Sequence, residues 1–141
     1  MRGKILDSLY NPGYDSWVLK QTKYGIFDGE ARLHPHDEDI DNSFDGCKIA
    51  EFRADLKSCK EKAKWMRQRA IGARIVAQSC WRVLEDTEAE AEVEKIVAML
   101  EKQADDTQEY YKRMKAYEPM FIKNLLQERR ETREMINKRK A

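Results

Sequence analysis

The sequence predicts a mainly α protein: a long antiparallel helical hairpin, coiled-coil-like, with a kinked C-terminal helix and a small irregular N-terminal segment. Three observations predict it. From residue 49 to 84, apolar residues recur at alternating spacings of three and four, the signature of a helix packed lengthwise on another. Only six Gly and three Pro occur in 141 residues, which leaves few turns. Charged residues make up 38% of the chain, well above the quarter or so of ordinary soluble domains, and they suit long solvated helix faces. The expected organisation is an aromatic and acidic segment at 1–46, a hairpin at 47–118 and a charged helix at 119–141.

The N-terminal segment is irregular in pattern. Ile5, Leu6 and Leu9 make at most one or two helical turns, and Asn11-Pro12-Gly13 is a turn signal. Tyr14, Trp17, Val18, Leu19, Tyr24, Ile26 and Phe27 are too apolar for a free tail, and Asp28-Gly29 reads as a hairpin turn between two short strands. The stretch from His34 to Asp45 is an acidic loop, with Asp45 as the N-cap of the long helix.

The first long helix carries an unbroken seam: Ile49, Phe52, Leu56, Cys59, Ala63, Met66, Ala70, Ala73, Ala77, Cys80 and Leu84. Its alanine-rich middle lets a partner helix approach closely. Asp86-Thr87 interrupts the pattern, and Thr87-x-x-Glu90 matches a capping box that starts a second helix. The second seam runs through Ala89, Val93, Ile96, Leu100, Gln103, Thr107, Tyr110, Met114, Tyr117 and Phe121. Folding back at 85–87 sets Ala73 near Leu100, Phe52 near Phe121, and Arg69 toward Asp106. Pro119 removes a backbone donor and clashes with the preceding turn, so the helix is expected to kink or restart there.

The net charge of +1 conceals segregation: −4 over residues 1–47, +7 over 48–84, −6 over 85–118 and +4 over 119–141. Adjacent segments of opposite sign are expected to pair with each other. No apolar run approaches the ~18 residues of a membrane span, so no membrane partner is expected. Met1–Asp7 lacks the apolar stretch of a secretory leader. Cysteines at 47, 59 and 80 are odd in number and scattered, which fits a reducing, cytoplasmic setting rather than a disulfide framework.

Chemistry-bearing motifs are sparse. His34-Pro35-His36 with neighbouring acids is a weak metal candidate that lacks the second half of a zinc signature. Asp41-x-Ser43-x-Asp45-Gly46 resembles half a calcium loop, but position 12 is Phe52 rather than a bidentate carboxylate. No Gly-rich phosphate loop or nucleophile–base pair is evident, so neither catalysis nor a cofactor is expected. Two surfaces remain. Trp65, Ile71, Gly72, Ile75, Val76, Trp81 and Val83 lie off the seam and need a cover, either the N-terminal segment or a second subunit. Of these, Trp65, Ile71, Ile75 and Trp81 are the expected partner-binding residues, since aromatic anchors dominate interface energy. The other surface is basic: Lys57, Lys60, Lys64, Arg67 and Arg74 recur at helical spacing and suit phosphate contacts. The leading expectation is a non-catalytic adaptor, assembly factor or inhibitor that binds another protein, itself, or both as a homodimer. Nucleic-acid binding through the basic stripe is the alternative. In its short, charged, motif-free style the chain resembles accessory proteins of phages and mobile elements, on no particular residue.

Overall fold

The computed structural model describes residues 3–32, 43–81 and 87–140. Three strands, β1 (Lys4–Asn11), β2 (Asp15–Thr22) and β3 (Gly25–Arg32), precede two helices, α1 (Ser43–Trp81) and α2 (Thr87–Lys140). The described residues are 75% helical and 20% strand, which makes the class mixed α/β rather than mainly α. The expected irregular N-terminal segment is instead an antiparallel meander in the order β1-β2-β3. Its first turn falls on the anticipated Asn11-Pro12-Gly13. Tyr14 donates its N–H to the Asn11 carbonyl at 3.0 Å, and Gly13 has φ +78°. That is the Pro-then-Gly pattern of a type II turn, which a side chain at position 13 would strain. The second turn is Lys23-Tyr24, between Thr22 and Gly25. Asp28-Gly29, expected at a turn, lies inside β3 with Leu19↔Asp28 and Val18↔Gly29 paired.

The chain divides into two compact units. One comprises residues 1–58 and 114–141, the other residues 59–113. In the first unit, the sheet packs on the start of α1 and the distal part of α2. Val18, Ala31, Ile49 and Ala50 are buried together, with Cys47, Phe121, Ile122 and Leu125 against them. Gly29 lets the backbone of α1 lie directly on β3, because an added Cβ would fall on the Ala50 carbonyl. Phe52 stacks on Phe121 with ring centroids 4.6 Å apart, the pairing that folding back at 85–87 requires. Polar clasps surround this core. Arg53 donates Nη1 to the Glu30 carbonyl at 2.7 Å and Nε to Glu118 at 2.8 Å, joining β3, α1 and α2. Lys57 pairs with Asp28 at 2.9 Å, and the hydroxyls of Thr22 and Ser58 are 2.7 Å apart.

Asp45 is not the cap. Since α1 begins at Ser43, Asp45 sits inside the first turn, buried, and takes Arg129 of α2 at 2.9 and 3.3 Å. Nor does α2 restart at Pro119; it runs through that residue as one element. The lost hydrogen bond costs about 3 kcal/mol. Packing of Phe121, Ile122 and Leu125 just beyond it, and the Glu118–Arg53 pair just before it, hold both sides in place.

In the second unit, α1 from Cys59 and α2 to Arg113 pack through small residues. Ala70, Leu100 and Ala104 are buried together, with Met66 and Ala73 against them. The α1 seam is as expected: from Ile49 to Ala77 every member is buried or half-buried. The α2 seam is not. Val97, Leu100 and Ala104 face inward, whereas Ile96, Gln103 and Tyr110 are exposed. Small Val97 and Ala104 allow closer approach to an alanine-lined partner than Ile96 and Tyr110 would.

Candidate functional site

The off-seam apolar residues of the second unit stand open on its surface. Trp65, Ile71, Ile75 and Val76 of α1 and Ile96 and Met99 of α2 are each more than half exposed, from 52% at Ile71 and Met99 to 62% at Val76. At 100° per residue, Trp65, Ile71, Gly72, Ile75 and Val76 share about 140° of the helix surface. This arc lies opposite the buried Ala70 and Ala77 and the half-buried Met66 and Ala73. Ile96 and Met99 stand on the flank of the α2 seam away from Glu94 and Glu101, the same flank that Trp65 and Val76 occupy on α1. A contiguous apolar surface therefore runs from the back of α1 onto α2. Patches of this kind on soluble domains mark interaction sites. Trp81 ends α1, and its side chain lies outside what the structure describes, as do His34, His36 and Asp41.

The basic stripe is largely occupied from within. Arg74 donates Nη1 to both Glu94 oxygens at 2.8 and 2.6 Å and Nε to Glu101 at 3.0 Å. Hydrogen bonds to Glu94, then Glu101, hold its charge firmly by raising its pKa, and Arg74 in turn lowers that of Glu94. Arg67 pairs with Asp105 rather than Arg69 with Asp106, and Lys57 is taken by Asp28. Lys60 and Lys64 are exposed. Paired guanidinium groups must give up their carboxylates before meeting phosphate, which weakens this face for nucleic acid.

Other clusters offer little chemistry. A groove of about 130 Å³ in the first unit is lined by Phe44, Asp45, Lys48, Leu125, Glu128, Arg129 and Thr132. Its Asp45 and Arg129 are paired with each other, and Lys48 sits 4.3 Å over the Phe44 ring. Burial pushes the Cys47 thiol up, away from reactivity. Among the described residues, no group of three His, Cys, Asp or Glu side chains is placed to hold a metal. Likewise, among them no helix is long and apolar enough to cross a membrane.

Comparison with protein-family models, with curated proteins and with solved structures found no match. What the sequence missed at this surface is the contribution of α2. The sequence pattern places Ile96 in the seam, and only the shift of the seam to Val97 turns Ile96 and Met99 outward.

Proposed function

We propose that this protein is a non-catalytic, cytoplasmic protein-interaction module. The second unit would present its apolar surface to a protein partner, and the chain would act as an adaptor, assembly factor or inhibitor. One observation carries the reading: Trp65, Ile71, Ile75 and Val76 of α1, with Ile96 and Met99 of α2, are all more than half exposed, while the opposite α1 face packs on α2 through Ala70 and Ala73. The ion pairs of Lys57, Arg67 and Arg74 favour it over a phosphate-binding stripe.

The test is capture of partners from native lysate by the wild-type chain and by a Trp65→Ala, Ile75→Ala double variant, each with and without nuclease. The double variant is expected to lose binding by roughly 30-fold or more, the effect of removing hot-spot anchors worth about 2 kcal/mol. Its helix content by circular dichroism should stay unchanged, because both side chains are exposed. Nuclease should not matter. Binding that survives the double variant, or that collapses with nuclease and falls steeply with salt, overturns the reading.

A further inference from the structure

We draw no further inference here: the strongest candidate, the outward face of the β1-β2-β3 sheet where Leu9, Trp17, Leu19 and Ile26 are exposed, carries nothing because nothing in the described structure shows what covers it.

Discussion

Replacing Gly29 by alanine is expected to separate the sheet from α1 and to destabilise the first unit by about 3 kcal/mol or more, the upper end of overpacking effects. The new methyl group would land on the Ala50 carbonyl, 2.8 Å from its carbon and 2.8 Å from the Ala54 nitrogen. These are backbone atoms in the middle of a helix, so no side-chain rotation relieves the overlap; either α1 shifts or β3 does. The consequence spreads because the same interface carries the buried Val18, Ala31, Ile49 and Ala50. Urea unfolding measures the loss, and amide exchange should show β2 and β3 unprotected. Gly13→Ala is the informative control. Gly13 has φ +78° with open space around it, so its replacement costs only the conformational penalty of about 1 kcal/mol. Should Gly29→Ala prove no more costly than Gly13→Ala, the close approach of α1 to β3 is not present in solution.

Gly29 also shows why the sequence pattern puts a turn where the sheet has a strand. Asp-Gly reads as a turn, but here the glycine serves a contact far away in the chain. The strand alternation was equally misleading. On β2 the residues facing α1 are Ser16, Val18 and Lys20, while Trp17 and Leu19 face outward. A half-buried strand normally alternates apolar-in and polar-out; this one carries a lysine and a serine inside and its largest apolar groups outside. Ser16 fits inside because Gly46 of α1 has no side chain, since an added Cβ there would fall on the Ser16 hydroxyl, and Lys20 because acidic partners wait on α1. Neither condition exists until the helix is docked, so no local pattern could reveal it.

The helices were easier, with one instructive limit. The α1 seam was legible because small and apolar residues recur without a polar break. On α2, apolar residues stand side by side at Ile96/Val97 and Tyr110/Tyr111, and Gln103 adjoins Ala104. A seam can be threaded through either member of each pair. Close packing on an alanine face chooses the smaller ones, Val97 and Ala104, which are almost fully buried. The candidate surface was thus half legible: Trp65, Ile71 and Ile75 follow from the α1 seam, whereas Ile96 and Met99 become visible only once the α2 register is known.

The second large effect concerns Lys20, whose side chain is 4% exposed beneath α1. Its ammonium lies 2.8 Å from Glu51 Oε1 and 2.9 and 3.2 Å from the two Asp55 oxygens. Lys20→Met keeps the length of the stem but leaves two carboxylates facing each other with no cation. Removing one partner of a fully buried pair costs about 3–5 kcal/mol; Glu51 is a third open to water, which lowers the expectation here to about 2–4 kcal/mol. Urea unfolding at neutral pH measures it, and adding Glu51→Gln and Asp55→Asn should recover part of the loss by removing the repulsion. Alkaline pH gives an independent check on the cause. Burial opposes the Lys20 charge, but hydrogen bonds from its ammonium to Glu51 and Asp55 and the charges of both outweigh it, so its pKa is raised above the ordinary 10.5. A group whose folded pKa is raised stabilises fully below its unfolded value and loses that contribution as pH climbs through the folded one. The wild-type chain should therefore hold its advantage over Lys20→Met across neutral pH and surrender it only in strongly alkaline solution. An advantage that disappears near neutrality, or one that persists unchanged through strongly alkaline pH, would mean that the charge of Lys20 is not what secures the sheet to the helix.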